Sequence, residues 1–449
     1  MSYYPIGTAE LRNTDAAFEI PARHRDRHMA ILGKSGTGKS TLLFNLIALD
    51  IRRGHGVTVI DPHGDLIEEL LHVIPRARIN DVIYFDPLHP THNIGINFLE
   101  PVADNRHKSR VASSLISIFT NLWKENWGRR TEYLIENATY ALLAQPEPQT
   151  LIGLQLFLTN AAYRRYIFAH ARHDPAIRSF YHTYEREWTD RQRQEATSAP
   201  LNKVNKFVLN PLLRATFGQP LSSFQFRWLM DHRKILLCHL PAGEMGEDVS
   251  AIIGSSVITS LFLAALTRRN IPKHKRIPHH LYADEVQTFL YGTSLPSLLG
   301  QSRKYKLAVC IASQTLSQLP PDCPDAIFGN CGTIASFRVS GADAERLQTE
   351  FATTKSPRTF QTVPDYRLYI KTLSTDPHGV AAPREPERIT AYPSLKDDLR
   401  THAQVMMSEP DRVVKESVGR FSRPREKVEA QIHDLLNTFI SDDEDDREE

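Results

Sequence analysis

The octapeptide Gly33-Lys34-Ser35-Gly36-Thr37-Gly38-Lys39-Ser40 leaves this chain little freedom in its fold. It follows four apolar residues, Met29-Ala30-Ile31-Leu32, and runs into Leu42-Leu43-Phe44-Asn45-Leu46-Ile47. That pattern predicts a strand, a tight loop and a helix. Glycine is required where backbone must close around an anion with no Cβ in the way. The loop N–H groups and the positive end of the helix then face phosphates. Lys39 would reach the β- and γ-phosphates, and the Ser40 hydroxyl would ligate Mg²⁺. Thr41, next in the chain, packs or caps. About 0.02 matches to the pattern are expected by chance at this length and average composition. The stretch from Gly33 to Thr41 is therefore read as a nucleoside triphosphate site, with every residue in it a binding candidate.

Around the loop, short apolar runs alternate with helical patterns. Val57-Thr58-Val59-Ile60 and Asp81 to Asp86 read as strands, and so do Lys234 to Leu240, His279 to Glu285 with its acidic end, Leu307 to Ala312 and Thr333 to Phe337. This alternation predicts an α/β fold with a mostly parallel central sheet flanked by helices. Residues 1–27 look like an extended lead-in, and Tyr366 to Leu373 like an edge strand. Between 104 and 217 strand patterns give way to helical periodicity, as in Val111, Leu115, Ile118, Phe119 and Leu122. Gln145-Pro-Glu-Pro148 and Thr197-Ser-Ala-Pro200 read as breaks between helices. Trp123, Trp127 and Trp188 read as packing residues in this all-α insertion, with stacking on nucleic acid as the alternative. The organisation expected is a nucleotide-binding domain in two parts, 1–103 and 218–392, an inserted all-α domain at 104–217, C-terminal helices at 393–440 and a disordered acidic tail at 441–449. In the last helix Val428, Ile432, Leu435, Leu436 and Phe439 share a face that should dock on something.

Charge is unevenly spread. The formal net charge is +2, yet the last nine residues hold seven acids and one Arg, so the rest carries +8. A basic body suits a polyanionic partner. The segment from Ala22 to His28 is also basic, as a solvated loop or a nucleic-acid contact. The four cysteines form no C-x-x-C pair and point to a reduced, cytoplasmic protein without a structural metal. No signal peptide is expected. The uncharged stretch from Val249 to Thr267 carries enough Ser, Thr and Gly to read as a buried helix instead of a membrane span.

A triphosphate hydrolase also needs an acid for the metal, a group to activate water and a positive charge at the transition state. Asp284-Glu285 closes an apolar strand and supplies the first two: Asp284 to hold Mg²⁺, Glu285 as base. Asp61, after Ile60, is the weaker acid candidate. Gln314 ends the following strand and would bond the γ-phosphate or the water. Arg303 and Lys304 lie in a basic surface segment, and either would reach a neighbouring subunit's site.

Several segments together resemble one family: the loop itself, Ile60-Asp-Pro-His-Gly-Asp-Leu66, Ala283-Asp-Glu-Val286, Ser302-Arg-Lys-Tyr-Lys-Leu307, Ala312-Ser-Gln314 and Gly329-Asn-Cys-Gly-Thr-Ile-Ala-Ser-Phe-Arg338. The chain resembles the HerA/FtsK superfamily of P-loop ATPases. It is most similar to TraG/TraD-type conjugative coupling ATPases, including their TraM-recognition region, over roughly residues 25–390. The resemblance implies a RecA-like P-loop fold, ATP and Mg²⁺ as ligands, and a homo-hexameric ring that pumps DNA through its channel. It implies Lys39, Ser40, Asp284, Glu285 and Gln314 as Walker A, Walker B and sensor residues. Arg303 would be the finger completing the next subunit's site, with Arg338 a second candidate. Nuclease, relaxosome or secretion-system partners go with the family. No transmembrane segment is visible, so a HerA-like repair or defence motor stands beside the conjugative reading. From other classes, a nucleotide-dependent assembly scaffold and a metabolic kinase are the competitors; no acceptor-substrate motif supports the kinase.

Overall fold

Strands covered on both faces read as unbroken apolar runs, and those at the centre of this protein do. The computed structural model describes residues 3–11, 14–100, 105–123, 126–292, 294–375, 381–396 and 407–445. Its strands are β1 (Tyr3–Leu11), β2 (Thr14–Pro21), β3 (His28–Leu32), β4 (Gly56–Asp61), β5 (Val82–Phe85), β6 (His92–Asn93), β7 (Ile235–His239) and β8 (His279–Ala283). They continue with β9 (Leu307–Ser313), β10 (Cys331–Ser336), β11 (Arg367–Lys371), β12 (Leu373–Thr375), β13 (Ala381–Pro383), β14 (Glu387–Ala391) and β15 (Arg423–Pro424).

Eleven of these form one sheet, in the order β2-β1-β14-β11-β10-β3-β9-β8-β4-β7-β5. Every neighbouring pair from β10 to β5 is parallel. Strands β3, β4, β8 and β9 are buried along their whole length. Leu32 stands opposite Ser313, so β3 and β9 end level, and Ala283 stands opposite Ile311, so β8 ends two residues before β9. The segments that follow them leave one edge of the sheet, where ligands of open parallel sheets bind.

On the other side of β10 the sheet turns antiparallel through β11, β14, β1 and β2. The expected lead-in is thus a hairpin within the sheet. Tyr4 and Ile6, and Phe18 and Ile20, alternate into the core. The expected edge strand, β11, is internal because β14, for which no strand was expected, pairs with its outer side.

The protein divides into two compact units, Met1–Phe85 with Phe226–Ser417, and Asp86–Gln225 with Val418–Glu449. The first holds the sheet. It also contains the apolar helix Glu247–Thr267, most of whose residues are buried. This helix and the turn after it are long and apolar enough to cross a membrane, but 72% of the window is buried within the protein.

Among the described residues of the second unit, the β6–β15 ribbon is the only strand pair and the other regular elements are helices. Phe119 stacks on Phe207 and Phe217 meets Phe207 edge to face, centroids 5.4 Å apart in each pair, and Trp123 sits 6.1 Å from Phe207. Trp127 lies 6.4 Å from Phe119 and Trp188 is 5.4 Å from Tyr184, so all three indoles, each half-buried, pack against aromatic rings of this unit. The expected break at 197–200 is absent. Pro200 lies within the helix Asp190–Leu209, where it is buried on the same face as Ala196, Val204 and Phe207. Burial of that face outweighs the roughly 3 kcal/mol that an interior proline costs. The final helix, Arg425–Asp445, runs into the tail expected to be disordered, with no Gly or Pro to stop it; residues 446–449 lie outside the described ones. Val428 and Ile432 are buried on it, and Asn160 Nδ2 donates to the Phe439 carbonyl at 2.7 Å.

Beneath the loop helix (Lys39–Arg52) the first unit buries a charged cluster. The Tyr4 hydroxyl donates to Asp50 Oδ1 at 2.5 Å, the Tyr282 hydroxyl donates to Oδ2, and Arg25 Nη2 lies 3.2 Å from Oδ2. Burial pushes the Asp50 carboxyl up, but His280, Arg25 and the two hydroxyls outweigh it and hold the group below the usual aspartate range. Burial also holds His280 down to about 4, so at neutral pH Arg25 supplies the compensating charge. Arg25→Met should therefore cost about 3–5 kcal/mol in urea unfolding at pH 7. Because the folded pKa of Asp50 is depressed, its contribution is complete above about pH 3.9 and is lost as pH falls further. The wild-type and variant curves should converge there.

Candidate functional site

The loop after β3 folds on itself. Gly36 and Gly38 adopt φ of +74° and +113°, which side chains with a Cβ rarely take. Thr37 Oγ1 donates to the Lys34 carbonyl at 2.7 Å, and Lys39 Nζ donates to the same oxygen at 3.3 Å. Gly33 N donates to the Ser313 carbonyl at 3.2 Å and Lys34 N to the Arg338 carbonyl at 2.8 Å, pinning the loop to β9 and β10. The first bond inside the following helix runs from Leu42 N to the Gly38 carbonyl. The N–H groups of Lys39, Ser40 and Thr41 therefore point out of the helix start. A Cβ placed on Gly36 would meet nothing within 4 Å, so the loop is open at that residue.

The acids of β8 meet the loop from the neighbouring side. Ser40 Oγ donates to Asp284 Oδ2 at 3.1 Å. Lys39 Nζ lies 3.9 Å from Glu285 Oε1, which also accepts from Gln314 Nε2 at 2.9 Å. The other carboxylate oxygen accepts from Gln287 Nε2 at 2.6 Å, and Ser313 Oγ donates to Gln287 Oε1 at 3.1 Å. Glu285 takes φ +43°, a strained conformation for a side chain of this size. Asp284 and Glu285 are both buried. Burial, then the charges of Glu285 and Asp61, push the Asp284 carboxyl up to about 6, against the pull of the Glu285 N–H and Lys39.

Lys39, Ser40, Asp284, Glu285 and Gln314 thus converge. Arg303 does not join them. It is exposed, just before the start of β9, whose seven residues span roughly 20 Å to Ser313. Arg338 stands on the loop's own edge, with Nη2 2.7 Å from Asp365 Oδ1. Asp61 serves the backbone: Oδ1 accepts from His63 N at 2.9 Å, and Oδ2 accepts from Leu66 N at 2.9 Å and Ile67 N at 3.4 Å. Sequence reasoning missed Gln287. Its only signal was a second amide-bearing residue two places after Glu285.

Residues 5–242, just over half of the chain, match the family model described as Helicase HerA, central domain. The chain belongs to the HerA central-domain family. Plasmid coupling protein TrwB in complex with ADP and Mg²⁺ is 18% identical and has a TM-score of 0.63, over 91% of this chain and 97% of that one. TrwB with the non-hydrolysable GTP analogue GDPNP is 19% identical at TM-score 0.62, covering 91% of each. VirB4 of Thermoanaerobacter pseudethanolicus is 12% identical at TM-score 0.55, over 89% of this chain and 98% of that one. No curated protein sequence matches. The fold of this HerA-family chain is the RecA-like P-loop NTPase fold, as its motifs implied.

The donor set fits a triphosphate with a hard divalent cation. An ammonium and outward N–H groups gather at the start of the loop helix, and a hydroxyl and a carboxylate oxygen lie 3.1 Å apart beside them. In the unliganded protein the raised Asp284 favours its protonated form. That stabilisation is complete below the ordinary value of 3.8 and is lost as pH rises through about 6. Asp284→Asn should accordingly raise unfolding stability at pH 8 by on the order of 3 kcal/mol and change it little at pH 4. Denaturant melts at both pH values check this.

Proposed function

We propose that this chain is a cytoplasmic ATPase motor that translocates DNA, working as a homo-hexameric ring. The convergence of Lys39, Ser40, Asp284, Glu285 and Gln314 at one sheet edge carries the reading. Membership of the HerA family and the basic body favour a nucleic-acid track. The coupling-protein fold favours transfer of DNA between compartments, and the HerA description a helicase-type role with a nuclease partner.

Ser40 and Asp284 would hold Mg²⁺, which when bound neutralises charge on the β- and γ-oxygens. Lys39 would leave the Lys34 carbonyl for the terminal phosphates. Glu285, its two oxygens oriented by Gln314 and Gln287, would take the proton of the attacking water. Gln314 would then carry the change at the γ-position to β9. Arg303 is remote from the site of its own chain, so its role in this reading is to complete the site of the next one. A pure scaffold has no use for a carboxylate oriented on both oxygens, so hydrolysis is favoured.

Phosphate release should be Mg²⁺-dependent and stimulated by DNA, with the stimulation falling steeply as salt rises. Glu285→Gln should lower turnover by about 10²-fold or more while ATP affinity stays within about threefold. Turnover indifferent to DNA at every salt concentration would contradict the translocase; an unaffected Glu285→Gln would contradict the assigned base.

A further inference from the structure

Tyr366 is out of place by every local rule. It is 53% exposed, its φ is +59°, and nothing in its own turn requires an aromatic side chain. Asn, Asp or Gly would hold such a backbone at lower cost. The conformation is enforced from both sides. Tyr366 N donates to the Thr37 carbonyl at 2.9 Å, and Ala391 N donates to the Tyr366 carbonyl at 2.9 Å. The ring is thereby held against the phosphate loop. A Cβ built on Gly38 would lie 3.1 Å from Tyr366 Cδ1 and 3.2 Å from Cε1 of the buried Phe337.

The position of the ring follows from the strand order. β3 runs between β9 and β10, and β11 lies beyond β10. Lys39, Glu285 and Gln314 gather on the β9 side of the loop, where they claim the terminal phosphate. The esterified end of a polyphosphate then leaves on the opposite side, beside the turn that carries Tyr366.

We infer that Tyr366 is the stacking platform for the nucleobase of the bound triphosphate. The inference rests on the nucleotide reading above and adds the element that separates a nucleotide from bare polyphosphate. A ring face attracts any base, since stacking reads no hydrogen-bond pattern.

Tyr366→Asn keeps a residue suited to positive φ and both backbone hydrogen bonds, but removes the ring. Tyr366→Phe keeps the ring. Calorimetric titration with Mg-ATP should show about tenfold weaker binding for Tyr366→Asn and wild-type binding for Tyr366→Phe. Affinity for Mg-tripolyphosphate, which has no base, should not change. The triphosphate of 2-aminopurine riboside, whose fluorescence is quenched by stacking, should be quenched on saturating the wild type and Tyr366→Phe, and not on saturating Tyr366→Asn. Equal quenching in all three proteins, unchanged ATP affinity in Tyr366→Asn, or an equal loss for ATP and tripolyphosphate would overturn the assignment while leaving the triphosphate site standing. A wild type that binds no ATP would overturn both.

Discussion

Leu32 stands opposite Ser313 and Ala283 opposite Ile311, and everything at the candidate site depends on that alignment. Side-chain direction alternates along a strand, so a slip of one residue would turn Asp284 and Gln314 to the wrong face of the sheet. The register is fixed by burial. β3, β8 and β9 are covered on both faces, and apolar residues from either side lock them in place. With the strands in this register, a lysine on a helix, two acids after one strand and an amide after another gather: the Gln314 amide hydrogen-bonds Glu285, and Lys39 lies at ion-pair distance from it.

The same unit handles buried charge in two opposite ways. Below the loop helix, Asp50 is fully buried and fully compensated by Arg25 and two tyrosine hydroxyls. At the sheet edge, Asp284 is buried beside further acids and undercompensated. The first arrangement ties β1, the Arg25 turn, the loop helix and β8 into one body. The second stores a demand for positive charge that a divalent cation satisfies. A rigid base under an electrostatically unsatisfied edge is what a site needs when ligand binding must be felt by the strands that carry it.

Much of this was legible in the residues. The loop motif fixed strand, turn and helix, and continuous apolar runs gave the seven parallel strands, because both signals are local and strong. The antiparallel extension was harder. The alternation of Tyr4 with Ile6 and of Phe18 with Ile20 is short, and Pro5 and Gly7 interrupt the first of these strands. Pro200 misled because its cost is local while the burial that overcomes it is tertiary. Gln287 and Tyr366 escaped for a different reason. Their place beside the loop comes from the strain of Glu285 at φ +43° and of Tyr366 at φ +59°, and no sequence pattern announces a positive φ at a residue other than glycine.

The most direct test of the central claim is a crystal structure of the wild-type chain with Mg²⁺ and a non-hydrolysable ATP analogue. The account predicts the γ-phosphate between Lys39 Nζ and the Gln314 amide, with the cation on Ser40 Oγ and within reach of the Asp284 carboxylate. An analogue whose phosphates lie away from Asp284 and Glu285, or a cation held without Ser40, would contradict it.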